Sequence, residues 1–222
     1  MTLHLTEAGS GEGLHLEPAR LVVAGYTARD EAAVRAHIAE LADIGVPPPS
    51  SVPAFYDLDA ALLTTDAVVE VESPRTSGEV EPVVVRLGGT WFLAVGSDHT
   101  DRELERTDVA RSKAACPKPL GDGVVRIGND LAALDWDNLT AGSVVDGVRY
   151  QVGDISSLRH PADLVGRMTD ELGPVTGDLV LYCGTLPLLA GAFTYGTQWR
   201  IRLELPGRTE LAHAYEIKQR ST

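Results

Sequence analysis

The clearest periodic signal lies between residues 69 and 105, VEVESPRTSGEVEPVVVRLGGTWFLAVGSDHTDRELE. Two apolar runs, Val83–Val85 and Trp91–Val95, flank Leu87-Gly88-Gly89-Thr90. A Gly-Gly pair between β-branched and aromatic runs predicts a hairpin, because both turn residues take positive φ without steric cost. With Gly88 and Gly89 as a two-residue loop, Leu87 faces Thr90, and opposed residues keep a constant sum of numbers. Counting down that ladder sets Glu81 opposite Gly96 and Glu79 opposite Asp98. Opposed residues share a face, as do residues two apart on one strand. Glu79, Glu81 and Asp98 are therefore expected to project together at the open end of the hairpin. Alternation breaks between Val71 and Gly78, so the strand carrying Glu-Val-Glu is expected to begin anew after Gly78.

A stripe of Val34, Ile38 and Leu41 predicts an amphipathic helix. Thr27 opens it, with Asp30 three residues on as a shortened capping box, and Gly45 ends it. His37 and Glu40, at i and i+3, are neighbours there. A carboxylate beside an imidazole raises its basicity and sets its tautomer, as a general base requires. A solvated helical ion pair uses the same spacing. The prolines of VPPPSSVP (46–53) leave an extended connector. Pro161 and Gly173-Pro174 bound a second helix, 160–172. Val124–Arg126, Leu131–Leu134, Ser143–Tyr150 and Leu179–Tyr182 read as strands between Gly, Asn and Asp turns. QWRIRLELPG places Trp199, Ile201, Leu203 and Leu205 on one face and Arg200, Arg202 and Glu204 on the other, the pattern of a half-solvated antiparallel strand. Residues 1–20 suit either one short edge strand (Leu3–Leu5 or Leu14–Leu16) or a mobile terminus. The charged stretch 97–113 reads as a short helix or a long loop. The fold class is mainly β with a few helices (α+β).

Composition narrows the partners. A chain of 222 residues buries an ample core as one domain without a disulfide. A net charge of −13 argues against nucleic acid and anionic lipid. Cys116 and Cys183 make no disulfide framework, the N-terminus lacks signal-peptide character, and no run is long enough to span a membrane. A cytoplasmic protein is expected. Three acids side by side on a strand pair repel. Without a basic partner in the pattern, they call for a cation, and all-oxygen ligation selects Mg²⁺, Mn²⁺ or Ca²⁺. Asp101, Glu103 and Asp108 are competing ligands if the register slips. His99, Cys116 and Cys183 are not at zinc spacing. There is no Walker loop, no G-x-G-x-x-G, no G-x-S-x-G and no metal-binding His pair.

Five segments resemble, in order, one family, the fumarylacetoacetate hydrolase superfamily. GEVEPVVV resembles its E-x-E strand, and SDHTDRELE its N-D-x-S-A-R-D-x-Q segment. SKAACPKPLG resembles the following K-S-F-x-x-x-C-P-L-G, and TGDLVLYCGTLP the G-D-V-I-x-T-G-T-P strand. The helix with His37-Ile-Ala-Glu40 resembles the N-Y-x-x-H-x-x-E lid. Together they cover residues 21–206, and the resemblance extends to a bacterial branch known only as a domain of unknown function. The resemblance implies a mixed β-barrel or roll core in a single domain: 1–20 an N-terminal extension, 21–68 lid helix and linker, 69–206 the metal-binding β core. It implies homodimers and Mg²⁺ or Mn²⁺ on Glu79, Glu81 and Asp98, the three acids that the register also selects.

It further implies a C–C bond hydrolase acting on a β-dicarbonyl or acylpyruvate-type 2-oxo acid through a metal-bound enolate. His37, oriented by Glu40, activates water, and Lys113 serves the oxyanion or carbanion. Arg102, Glu105 and Thr185 are expected at the substrate. Decarboxylation, hydration or isomerisation of a 2-oxo acid uses the same metal site, and a non-catalytic binding protein keeps the fold. Four departures bear on the substrate. Glu105 replaces the family Gln, Gly25-Tyr26 only loosely echoes N-Y, GTLPLLAG replaces G-T-P-x-G-V-G, and Lys118 competes with Lys113 for the lysine role.

Overall fold

The computed structural model describes residues 1–43 and 48–220. In the helix Glu31–Asp43 the side chains of Ala33, His37, Glu40, Leu41 and Asp43 lie outside the described residues, as does Gly45. The chain opens with Leu3–Glu7 (β1), Gly13–Leu16 (β2) and Pro18–Gly25 (β3). Both N-terminal alternatives are strands, because pairing β1 with β2 buries Leu3, Leu5, Leu14 and Leu16 on one side. The helix α1, Glu31–Asp43, starts later than expected. Asp30 rather than Thr27 caps it, its carboxylate accepting from Ala32 N at 2.9 Å and its carbonyl from Val34 N at 3.0 Å. Thr27 is instead buried, its carbonyl accepting from Arg159 N.

Ala54–Leu58 (β4), Leu63–Thr64 (β5), Val68–Val71 (β6) and Thr76–Ser77 (β7) lead to the long hairpin, Val80–Leu87 (β8) and Thr90–Ser97 (β9). Thr100–Asp101 (β10) follows. The charged stretch resolves into two short helices, Arg102–Glu105 (α2) and Val109–Ala114 (α3), whose caps are the carboxylates of Asp101 and Asp108. Lys118–Pro119 (β11) and Gly123–Gly128 (β12) come next. Leu131–Leu134 is not a strand: Asp130 caps a 3-10 turn, Leu131–Ala133, that turns Leu131 into the core. Ser143–Tyr150 is not one strand either. Asp146 and Gly147 both have positive φ, 47° and 82°, and make the tight turn between Thr140–Val145 (β13) and Val148–Asp154 (β14). Pro161–Leu172 (α4) carries Pro161 in its first turn and Gly173 at its end, as expected. Asp178–Tyr182 (β15), Gln198–Glu204 (β16) and Glu210–Gln219 (β17) complete the chain.

Eight strands form one sheet in the order β2-β1-β12-β9-β8-β15-β3-β4, and five form another, β14-β13-β16-β17-β6. Pairing is mixed, with β15–β3 and β17–β6 parallel. The second sheet lays Ala141, Ile201, Leu203 and Leu211 on the face of β8 and β9 that carries Val84, Leu93 and Val95. The opposite face buries Val83, Val85, Phe92 and Ala94 against Leu5, Leu16, Leu21 and Val180. Most of that second cluster belongs to strands of the same sheet, so the sheet curls around it into a half-barrel. Burial on both faces explains why Val83–Val85 reads as a continuous apolar run. Among the described residues no helix is long and apolar enough to cross a membrane.

Candidate metal centre

The β8–β9 register is the expected one. Leu87 faces Thr90 and Glu81 faces Gly96. One step past the ladder, Asp98 N donates to the Glu79 carbonyl at 3.0 Å. One carboxylate oxygen from each of Glu79, Glu81 and Asp98 lies within 4.8 Å of the others. Alternation along β8 puts Glu81 on the concave face with Val83 and Val85. Asp98 is 0% and Glu81 2% exposed. Gly96, across from Glu81, is required by close approach: a Cβ there would sit 2.4 Å from the Tyr182 ring. Tyr182 is held by its hydroxyl donating to the Lys118 and Pro119 carbonyls at 3.2 and 3.0 Å. Gly96→Ala is expected to cost about 1–3 kcal/mol or more by overpacking, read as a lowered urea midpoint at unchanged slope.

The acids do have basic partners, contrary to the sequence expectation. The Lys113 ammonium contacts Asp98 Oδ2, Lys118 Nζ lies 3.2 Å from Asp98 Oδ1, and Arg102 Nη2 lies 3.3 Å from Glu79 Oε1. These cations come from the segment after the hairpin, which folds back over the acids as α2, α3 and β11, and ladder arithmetic cannot reveal that. Glu81 has a backbone partner instead: Gly184 N donates to its Oε2 at 2.8 Å. Gly184 has φ +101°, and a Cβ there would lie 1.8 Å from Thr27 Oγ1, so this donor depends on glycine.

Electrostatics divide the acids. Burial, then the neighbouring Asp98 charge, pushes the Glu81 carboxyl well above its ordinary range. Burial also raises Glu79, although Arg102 and Lys113 oppose it. Burial works against Asp98 too, but Lys113 and Lys118 outweigh it and hold that carboxyl below its usual value. Burial lowers Lys113 less than Asp98, Glu79 and Glu81 raise it, so it stays an ammonium. Asp101 and Asp108 are taken up as helix caps, and Glu103 is exposed.

The two lysines are not equivalent. Lys118 Nζ donates to the His99 and Lys113 carbonyls, both at 2.5 Å, and approaches Asp98, which uses its three donors. It braces the loop that carries Asp98. Lys113 lies 5.4 Å from the centre of the Tyr56 ring and faces the acids. Arg102 donates through Nε to Ser77 Oγ at 2.6 Å and through Nη1 to both Glu105 oxygens at 2.9 Å, while Phe193 stacks on its guanidinium at 4.1 Å. Arg102 therefore holds Glu79 and Glu105 in place and has its donors committed. Thr185 Oγ1 donates to the Val80 carbonyl and accepts from Gln151 Nε2, both at 2.8 Å. The backbone of α1 carries His37 and Glu40, but their side chains lie outside the described residues. His99 is buried behind the site between Thr76 and Tyr215, and burial and the nearby lysine and arginine charges bring its imidazole down to about 3.

Two tyrosines stand near Lys113 at one side of the acids. Tyr26 and Tyr56 line a cavity of about 200 Å³ with Pro48, Pro49 and Val109. Burial pushes Tyr56 up to about 12. Tyr26 is a bulky residue at φ 56°, a conformation that only surrounding structure sustains. No local sequence signal marks Tyr56, and Tyr26 stands out only as the loose Gly25-Tyr26 echo of the family N-Y.

The profile of a family described as a protein of unknown function (DUF2848) matches residues 24–215. The chain belongs to the DUF2848 family. No functionally curated protein matches it in sequence. The DUF2848 chain is similar in structure to fumarylpyruvate hydrolase from Pseudomonas aeruginosa in complex with Mn²⁺ and pyruvate, at 18% identity and TM-score 0.66, covering 99% of this chain and 97% of that one. A protein from Oleispira antarctica, described as a fumarylacetoacetate isomerase/hydrolase, shares 16% identity at TM-score 0.65 over 97% of this chain and 100% of its own. A 2-keto-3-deoxyarabinonate dehydratase gives 16% and 0.61 over 93% and 76%. The DUF2848 chain thus has the fold of the fumarylacetoacetate hydrolase superfamily, as its five motifs indicated.

Proposed function

We propose that the protein is a divalent-metal-dependent enzyme that cleaves a C–C bond in an acylpyruvate-type 2-oxo acid. The observation that carries this reading is the convergence of Glu79, Glu81 and Asp98 with the Lys113 ammonium beside them. The fit to a cation rests on the donor set. Three carboxylates gather in a buried place, and Glu81 has no ionic partner among the described residues. Their hard oxygens suit Mg²⁺ or Mn²⁺, and Ca²⁺ by size and flexibility. The P. aeruginosa hydrolase, whose fold is the same, holds Mn²⁺ and pyruvate. A cation on these acids would supply a Lewis acid for charge developing on the 2-oxo and carboxylate oxygens of the substrate.

The chain's own residues supply the rest. Lys113, kept protonated by the acids around it, serves as a charge and a proton donor rather than as a base. It would return a proton to the carbon left electron-rich when the bond breaks. The resemblance assigns water activation to His37 with Glu40. Tyr26 and Tyr56 would flank Lys113. Arg102 fixes Glu79 and Glu105, and in this reading Glu105 and Thr185 shape the substrate end of the site.

A second reading, a lyase or isomerase acting on a 2-oxo acid, is favoured by Lys113 itself, because proton return needs no activated water. His37→Ala separates the two. Loss of turnover by about 10²–10⁴ supports hydrolysis, whereas intact turnover supports a decarboxylase or isomerase. The assay is a panel of acylpyruvates, oxaloacetate and oxo-dienoates with Mg²⁺ or Mn²⁺ present. Failure of the wild-type protein to bind either ion at millimolar concentration, by calorimetry, would overturn the enzyme reading in favour of a non-catalytic binding protein. In this proposal the protein works in the cytoplasm as a homodimer on a small molecule, without nucleic acid or membrane. A monomeric mass by light scattering would refute the dimer.

A further inference from the structure

The N-terminal hairpin carries a feature that sequence spacing hides. His4 and His15 are eleven residues apart in the chain but directly opposed in the β1–β2 ladder. The Leu-His-Leu triplets of the two strands turn Leu3, Leu5, Leu14 and Leu16 into the core, so both imidazoles face solvent on the same side. Their ring centroids are 4.8 Å apart, with the planes at 79°. Two imidazoles on one tetrahedral ion, with metal–nitrogen bonds of about 2.0–2.1 Å, place their centroids about 5 Å apart. The two exposed rings are therefore close enough that rotation about their side-chain bonds can bring one nitrogen of each onto a single ion. Glu17, two residues beyond His15 on the same exposed side, is engaged by Thr2, whose Oγ1 donates to it at 3.2 Å.

We propose that His4 and His15 form a second cation site, its shell completed by water, for a late first-row divalent ion of the Zn²⁺ class. Imidazole selects such ions, whereas the all-oxygen cluster of Glu79, Glu81 and Asp98 selects harder ones. The two sites are thus separated by chemistry as well as by position. An ion here would tie β1 to β2 at the edge of the eight-stranded sheet, where β2 is the outermost strand among the described residues. This inference does not depend on the proposed enzyme activity.

The test is calorimetric titration of the full chain with Zn²⁺ in excess Mg²⁺. One equivalent of saturable heat is expected in wild type and in Glu81→Gln. It should vanish in His4→Asn and in His15→Asn. Zinc-edge X-ray absorption of the wild-type complex should count two imidazole ligands, which guards against a misfolded variant. Absence of heat in wild type, heat retained in either histidine variant, heat lost in Glu81→Gln, or an all-oxygen zinc shell would each overturn the site.

Discussion

Glu81→Gln is expected to abolish Mn²⁺ binding and to lower turnover of any accepted 2-oxo acid by about a hundredfold or more. Even groups one shell beyond a metal typically cost 10–100-fold in affinity or activity when removed. Glu81 also lacks an ionic partner among the described residues that could compensate. The same substitution should leave the metal-free protein as stable as wild type or more so, because Gln can still accept from Gly184 N and no longer sets a buried charge beside Asp98. The pH dependence follows from the raised Glu81 carboxyl. Its folded-state value lies above its unfolded one, so folding takes up a proton between the two. Relative to Glu81→Gln, wild-type stability without metal should therefore be greatest on the acid side and fall as pH rises through that window. Mn²⁺ affinity should rise with pH across the same window, since the ion needs the deprotonated carboxylate. Thermal melts at several pH values, with and without Mn²⁺, read both slopes. Parallel curves for the two proteins would refute the assignment of Glu81.

The hairpin was legible because its information is local. A Gly-Gly turn fixes loop length, loop length fixes register, and register fixes which side chains are neighbours. Glu79, Glu81 and Asp98 follow from that chain of reasoning and needed no tertiary knowledge. The cations that meet them do not. Lys113 and Lys118 reach Asp98 only because 102–119 fold back over the hairpin, and the caps that shape this fold, Asp101 and Asp108, looked in sequence like spare metal ligands. Arg102 illustrates the same limit. The family resemblance implied a substrate contact for it, and the partners it has here, Ser77, Glu79 and Glu105, are set by tertiary approach. Thr27 misled for a local reason. It has the right chemistry for a cap, but long-range bonding to Arg159 and the Ala28–Leu158 bridge draws it away, and Asp30 takes the helix. His4 and His15 were visible as residues but not as a pair, because the loop between β1 and β2 carried no turn signal strong enough to set a register.

Lys113→Met is expected to separate binding from chemistry in opposite directions. Lys113 already neutralises Asp98, so an arriving cation competes with an ammonium in place. Removing that ammonium leaves the acid cluster one unit more negative. Unit charges about 4 Å apart interact by about 4 kcal/mol at an effective dielectric near 20. A tenfold gain in Mn²⁺ affinity, about 1.4 kcal/mol, is therefore a modest expectation. The metal-free variant should unfold more easily, by less than the about 3–5 kcal/mol typical of stranding a buried charge, because Lys118 stays on Asp98. Saturating Mn²⁺ should restore its melting temperature. Turnover should nonetheless fall by about 10²–10⁴, since no other described ammonium with free donors faces the acids. Lys118→Met makes the contrast. Its ammonium holds two backbone carbonyls as well as Asp98, so that variant should lose structure that Mn²⁺ does not restore. Tighter Mn²⁺ binding with weaker catalysis in one lysine variant, and unrescued unfolding in the other, is the pattern that assigns proton return to Lys113. Equal behaviour of the two variants would remove that assignment and reduce both lysines to counter-charges for Asp98.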